Sequence, residues 1–306
     1  MAARDATAGR REFTAALVEH GLWIPTGVQG VFGRNAVFEA IVTGFDRLIS
    51  EMACSAGAER VEFPPVVARD VIRRTAYMES FPELCGSIHS FRAASANHME
   101  LVDRVDEEGD WSEFLEQTPM TLCPAACYPI YPTCGGVLPA NGRHFELCSY
   151  VFRAEPSDDP ARLQSFRMRE NVRIADMETV RAWRDGWVER ALELLRALGL
   201  PAEAEIASDP FFGRGGRLLA AGQIEDEAKF EILCPIASDE QPTAIASFNR
   251  HRDKFSRIFD IQLEGGGYAE SACVGFGLER VALALLRTHG FDPSNWPTAL
   301  RARLAL

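Results

Sequence analysis

The 306-residue chain has no run of about 18 consecutive apolar residues, which argues against a membrane-spanning helix. An excess of basic charge is missing too: 44 acidic side chains outnumber 32 lysines and arginines, and the net charge is −12 at pH 7. Bulk electrostatics therefore do not advertise nucleic-acid binding, although a local basic patch is compatible with this balance. Residues 1–12 alternate small and charged side chains without the apolar stretch of a secretory signal, so a cytoplasmic location is expected. There is no internal repeat, no low-complexity linker, no heptad run and no lysine-rich arm. No histidines pair at a ligand spacing such as His-x-x-x-His, so His89, His98, His144 and His251 are expected in surface or hydrogen-bonded roles. Eight cysteines in an intracellular-looking chain read as free thiols or ligands, not as a disulfide framework.

What remains is ordinary for a soluble globular protein: 47% hydrophobic and 25% charged residues, enough chain to bury a large core. Residues 10–56 carry helical spacing (Phe13, Leu17, then Phe38, Ile41, Val42, Phe45, Leu48, Ile49, Met52), broken at Trp23-Ile24-Pro25-Thr26-Gly27. Residues 61–67 read as a strand ending at Pro64-Pro65, since proline cannot donate to a ladder, and a helix is expected over about residues 69–78. The clearest helix spans 176–198, with Val180, Trp183, Trp187, Ala191, Leu194, Leu195 and Leu198 on one stripe and Gly199 and Pro201 closing it. Its tryptophans are expected to pack in the core, with partner docking as the alternative. Residues 229–233 and 259–263 read as strands. Strands that hairpin without β-α-β units favour an α+β fold, an antiparallel sheet flanked by helices.

The chemistry concentrates in three phrases. Phe152-Arg153-Ala154-Glu155 is followed after a polar loop by Arg162-Leu163-Gln164-Ser165-Phe166-Arg167-Met168-Arg169-Glu170, and Gly275-Phe276-Gly277-Leu278-Glu279-Arg280 comes more than a hundred residues later. The first two read as strands joined by a flexible loop, with their polar residues on one face. There an arginine can meet an α-phosphate and a glutamate the exocyclic amine of adenine, which suits activation of a carboxylic acid with ATP. Alone, Gly-x-Gly-x-x-Arg is only a strand-to-helix turn; its weight comes from the pairing.

The pair resembles motifs 2 and 3 of the class II aminoacyl-tRNA synthetases, and within them the seryl enzymes. In those an Arg-x-Glu precedes a loop, an arginine, a stacking phenylalanine four residues on and a glutamate four further, the spacing of Arg162, Phe166 and Glu170. The resemblance implies a class II synthetase-like sheet in one catalytic domain, residues 1–306, with a helical segment over 1–56 and the core over 57–306. It implies that Arg153 is the catalytic residue, neutralising the α-phosphate with Mg²⁺. Glu155 would read adenine, Phe166 would stack on it, and Arg162 and Arg280 would hold the outer phosphates. Leu163, Lys229 and Ser247 are further ATP contacts by the same resemblance, residues 243–249 being similar to the strand that carries such contacts. The strand and prolines at 61–67 resemble motif 1, which builds a dimer interface, so a homodimer is implied.

Cys127, in Pro124-Ala125-Ala126-Cys127-Tyr128-Pro129, precedes motif 2, Glu170 ends it, and Cys273 sits just before motif 3. Two thiolates and a carboxylate leave one tetrahedral position of a zinc ion open, and an amino group can take it. Spacing alone makes a weak metal signal, because most buried cysteines are merely packed, and Cys123 and Cys134 compete with Cys127 for the first place. The archaeal-type seryl enzymes carry a Cys-Glu-Cys zinc site. Resemblance to them implies one Zn²⁺ per chain on Cys127, Glu170 and Cys273, and a substrate held by Arg153, Glu170, Lys229 and Cys273. Cys54, Cys85, Cys148 and Cys234 read as packing residues.

A seryl-tRNA synthetase grips tRNA with a long N-terminal domain, whereas only about 50 residues precede the motif 1 region here. The architecture resembles the amino acid:[carrier protein] ligases over roughly residues 60 to 290, with Phe81-Pro82-Glu83-Leu84 and the Cys127 context fitting well. It implies ATP-dependent activation of a small amino acid, of the glycine, alanine or serine type, and its transfer to the phosphopantetheine thiol of a carrier protein. A minimal tRNA-charging enzyme of the seryl type is one alternative. A non-catalytic binding or regulatory paralogue is the other, and the intact Arg153, Glu155 and Arg280 argue against it. Arg181, Arg184, Arg190 and Arg196 on the 176–198 helix form a candidate docking face for the carrier.

Overall fold

The computed structural model describes residues 2–92 and 98–306. The chain runs α1 (Ala2–Glu19), β1 (Trp23–Pro25), β2 (Phe32–Arg34), α2 (Ala36–Ser55), β3 (Glu59–Arg60), β4 (Val66–Ala68), α3 (Arg69–Arg74), α4 (Tyr77–Ser80), β5 (Ser87–Phe91), α5 (His98–Asp106), β6 (Leu115–Leu122), β7 (Gly136–Val137), β8 (Arg143–Phe152), β9 (Ser165–Ala175), α6 (Met177–Ala197), β10 (Glu203–Ile206), α7 (Gly213–Glu225), β11 (Lys229–Cys234), β12 (Thr243–Arg252), α8 (Lys254–Phe259), β13 (Ile261–Gln262), β14 (Glu270–Gly277), α9 (Leu278–His289) and α10 (Thr298–Leu304). Seven strands form the main sheet in the order β10-β11-β12-β14-β9-β8-β3, antiparallel except for the short pair of β3 with β8. A three-stranded sheet, β4-β6-β5, stands apart from it. This is the α+β arrangement expected from the hairpinning strands.

Helices cover one face of the main sheet. Asn35 caps α2 by accepting from Phe38 N, and Asp176 caps α6 by accepting from Thr179 N, each satisfying an amide that the first turn leaves without a partner. Phe276 of β14 receives Phe45 of α2 at 5.8 Å and Trp187 of α6 at 6.3 Å between ring centroids. Burying each such side chain stabilises the fold by roughly 1.5–3 kcal/mol. The same face of β9 carries charge: Arg167 pairs with Glu39 of α2 at 2.6 Å and Glu279 of α9 at 2.8 Å, and Arg169 with Asp46 of α2 at 2.7 Å and Glu146 at 3.5 Å. These partners explain why β9 does not read as a simple apolar-polar alternation.

Four local readings are corrected. Residues 61–67 are not one strand: β3 pairs with β8, β4 pairs with β6, and Phe63-Pro64-Pro65 lies between them, where proline cannot donate. Phe259 ends a helix, because Asp260 turns left-handed at φ +54°, so only Ile261–Gln262 of the 259–263 segment pairs. The 69–78 helix breaks in two at Ala76, φ +56°. Cys54 is exposed instead of packed. No helix among the described residues is long and apolar enough to cross a membrane.

Candidate active site

Sheet register assembles the other face. Lys229, Asn249 and Cys273 stand in one cross-strand row, and Glu231, Ser247, Gly275 and Glu170 in the next. Opposed residues share a face, as do residues two apart along a strand, so Phe166 and Met168 of β9 and Gly277 of β14 join them. All ten line a cleft of about 420 Å³. Tyr77, Phe81, Leu84, the 124–128 segment, Phe211 and Phe255 form its other walls, and Phe81 stacks on Phe211 at 5.3 Å. Both lysines of the chain, Lys229 and Lys254, lie in this lining.

Cys127, Glu170 and Cys273 meet here, fully buried, with their ligand atoms within 4.8 Å of one another. Glu170 Oε2 also accepts from the Cys127 amide, and Cys273 Sγ lies 3.6 Å from Asn249 Nδ2 and 3.5 Å from His251 Nε2. Three acids so close cannot all ionise in a dry pocket. Burial and the Cys273 charge push Glu170 up to about 8, and the hydrogen bond with Cys273 pushes Cys127 well up. That same bond, helped by His251, holds Cys273 well below the usual thiol range. A divalent cation would relieve this proton sharing, and two sulfurs and a carboxylate are a donor set zinc accepts with one position open. Cys123 and Cys134 stay outside the cluster, donating to Ala125 O and Ile130 O.

Two of the three guanidinium groups expected on phosphate, Arg153 and Arg280, face the same cleft. Arg280 is held through Ala161 O at 2.7 Å and Ala244 O at 2.9 Å, and burial followed by the charge of Arg153 brings it down to about 10. Arg153 lies 5.7 Å from the Phe166 ring centroid and donates to Pro124 O. Ser247 and Lys229 line the cleft; Lys229 is clasped by Asp209 at 2.6 Å and Glu231 at 2.8 Å. Three expected residues sit differently. Glu155 and Arg162 lie outside the cleft lining, paired with each other at 2.9 Å across the loop that joins β8 to β9, and the Leu163 side chain is buried in the core. That loop is strapped down: Arg10 pairs with Asp159, Arg11 and Gln29 hold Asp158, and Gln164 donates to Gln29 O.

Asn249, His251, Asp209, Lys254 and the aromatic walls were not singled out as site residues. For Asn249 and His251 a signal existed, because Ser247, Asn249 and His251 alternate along one strand. Asp209 and Phe211 arrive on a loop with no periodic signature. The candidate docking helix α6 lies on the helix-covered face, opposite the cleft, and its Arg184 is buried, donating to Glu227 O and lying over Phe230.

An antiparallel sheet whose open face gathers motif 2 and motif 3 residues defines a class II aminoacyl-tRNA synthetase-like core. The chain superposes on Methanopyrus kandleri SerRS, solved with A. aeolicus tRNASec, at a TM-score of 0.81 with 20% identity, over 95% of this chain and 60% of that one. It superposes on the Pyrococcus horikoshii seryl-tRNA synthetase, complexed with ATP, at 0.71 with 15% identity, over 96% of this chain and 62% of that one. It thus spans about three fifths of those synthetases. In sequence it is 42% identical over 282 residues to Amino acid--[acyl-carrier-protein] ligase 1 of Bradyrhizobium diazoefficiens, covering 92% of this chain and 86% of that protein. The chain belongs to the amino acid--[acyl-carrier-protein] ligase family. Similarity to the Type-2 serine--tRNA ligase of Methanopyrus kandleri is weaker, 25% over 97% of this chain and 59% of that protein. No protein-family model matches the chain.

Proposed function

We propose that this protein activates a small amino acid, of the glycine, alanine or serine type, with ATP and passes it to the phosphopantetheine thiol of a carrier protein. The observation that carries the reading is the convergence of Cys127, Glu170 and Cys273 in the cleft that also presents Arg153, Phe166 and Arg280. In the first step the amino-acid carboxylate oxygen attacks the α-phosphorus, the bond to the bridging oxygen breaks, and pyrophosphate leaves. In the second the carrier thiol, losing its proton, attacks the acyl carbon of the adenylate; a thioester forms and AMP leaves. Arg153 offsets charge on the α-phosphate, so positioning and electrostatics supply most of the rate. Arg280 holds the outer phosphates and Phe166 stacks on adenine. Glu155 reads adenine and Arg162 turns to phosphate once their mutual ion pair opens, with Leu163, Ser247 and Lys229 as further ATP contacts.

Cys127, Glu170 and Cys273 would hold one Zn²⁺ per chain, which when bound offers an open position to a neutral amine and so favours α-amino acids over plain carboxylic acids. Mg²⁺ would accompany ATP. A single catalytic domain, a cytoplasmic location and a homodimer belong to the same proposal. The exposed apolar side chains Met99, Val102 and Val105 of α5 and Met120 of β6 support the dimer.

The test offers labelled amino acid and ATP to the enzyme with either bulk bacterial tRNA or a phosphopantetheinylated carrier from the same organism. Label is expected on the carrier. Productive tRNA binding needs several phosphate contacts from basic residues, which a net charge of −12 does not favour. Label on tRNA and never on the carrier would overturn the assignment in favour of a minimal tRNA-charging enzyme.

A further inference from the structure

Strand β12 is irregular at one place only on its β14 side. The pairing passes from Arg250 opposite Ala272 to Arg252 opposite Ser271, which leaves His251 as the extra residue of a β-bulge. Arg252 closes the bulge at φ +55°, a left-handed conformation that a side-chain-bearing residue adopts at a cost, and its guanidinium is pinned to Asp226. Bulges are common beside functional sites. The residue left unpaired here, His251, keeps to the cleft face it shares with Ser247 and Asn249, and its Nε2 lies 3.5 Å from Cys273 Sγ. Its other nitrogen, Nδ1, is 3.1 Å from Ser271 Oγ and 3.4 Å from the Tyr131 hydroxyl, both fully buried groups. The ring is boxed by Tyr131 and Phe255, each nearly perpendicular to it or steeply tilted, at 6.0 and 4.8 Å between centroids.

We infer that His251 is a positioning residue for the metal site, donating Nε2–H to the Cys273 sulfur while Nδ1 accepts from the Ser271 hydroxyl, and that the bulge with its left-handed Arg252 holds it there. The inference rests on the reading of Cys127, Glu170 and Cys273 as metal ligands. A ligating cysteine is a thiolate and has no proton to give, so the imidazole must be the donor. A hydroxyl can then supply the proton that Nδ1 accepts, which fixes the tautomer from behind. Asn249 Nδ2, at 3.6 Å, approaches the same sulfur from the neighbouring position on the strand. Two donors on one thiolate fix its direction and draw charge from it, as outer partners of metal ligands do. His251 touches neither ATP nor amino acid in this account; it acts through Cys273.

The experiment measures Zn²⁺ affinity by competition with a chromophoric chelator, and the thiolate-to-metal charge-transfer band after Co²⁺ substitution, in the full-length protein. His251→Phe keeps an aromatic ring in the box and removes the donor. It is expected to bind Zn²⁺ about 10–100-fold more weakly and to shift the Co²⁺ band, whereas His251→Gln, which restores an N–H, recovers most of both. Ser271→Ala, which removes the partner of Nδ1, is expected to move both readouts the same way by a smaller factor. It carries the test with His251→Gln if His251→Phe does not fold by circular dichroism. Wild-type affinity and an unshifted band in both His251→Phe and Ser271→Ala would overturn the inference while leaving the metal reading intact. A wild-type protein that binds no stoichiometric Zn²⁺, indistinguishable from Cys273→Ser, would overturn the metal reading and this inference with it.

Discussion

Gly275 of β14 stands directly opposite Glu170 of β9, and a Cβ at position 275 would come within 3.3 Å of Glu170 Oε1. The glycine of motif 3 thus leaves room for the carboxylate that ends motif 2. Glu170 is also tied to the Cys127 amide and cannot retreat freely. Gly275→Ala should therefore displace the carboxylate and weaken Zn²⁺ binding by about tenfold or more, the effect typical of disturbing a ligand's support. Chelator competition measures it; unchanged affinity would show that Glu170 can shift without loss.

Purified protein should contain about one zinc per chain, and Cys273→Ala and Glu170→Ala should lose both metal and amino-acid-dependent ATP–pyrophosphate exchange. Elemental analysis and exchange assays on the same preparations decide this. Full exchange by a metal-free preparation would remove zinc from the account.

Arg153→Ala should slow adenylate formation at least a hundredfold, about 3 kcal/mol, because the charge it offsets develops mainly in the transition state. Phe166→Ala should instead raise the apparent KM for ATP, since a stacked ring holds adenine before and during the reaction. Steady-state kinetics with the opposite pattern would exchange the two roles.

Arg169 is buried between Asp46 and Glu146, and Glu146 is itself fully buried. Arg169→Met should cost about 3–5 kcal/mol of stability by leaving two carboxylates without their cation, and adding Glu146→Gln should recover part of it. Urea titration reads both. A loss below about 1 kcal/mol would mean that water reaches these carboxylates.

Burial, with the charge of Arg173 acting the same way, brings His144 down to about 4. An unfolded histidine titrates near 6.5, so between roughly pH 6.5 and 4 the unfolded chain takes the proton more readily than the folded one. The contribution is complete above pH 6.5 and is lost as pH falls towards 4. His144→Gln should therefore narrow the difference between the urea midpoints at pH 7 and pH 5. An unaltered difference would place the acid sensitivity elsewhere.

Much of the site was legible because its signals are local. Arg162, Phe166 and Glu170 recur every fourth residue, and in β9 that period keeps Phe166 and Glu170 on one face. Arg162 falls before the strand begins, so the same spacing did not bring it into the cleft; its charge is spent on Glu155. The stripe of α6 predicted its core packing, yet not which sheet face it covers: the helix lies opposite the cleft, with Arg184 buried and Arg181, Arg190 and Arg196 exposed. Residues 61–67 misread because two prolines inside an apolar run end one pairing and begin another with a different sheet.

By itself the sequence determined the kinds of element, the motif phrases and the donor types available, since each follows from side-chain chemistry and from periods of two or 3.6 residues. Only the tertiary structure decided that Cys127, and not Cys123 or Cys134, meets Glu170 and Cys273, and that His251, at a bulge, reaches the same sulfur. Those placements depend on strand register and on a loop closing over the sheet. Both are settled by packing summed across the whole core, where the free energy of any one local choice is too small to fix the outcome.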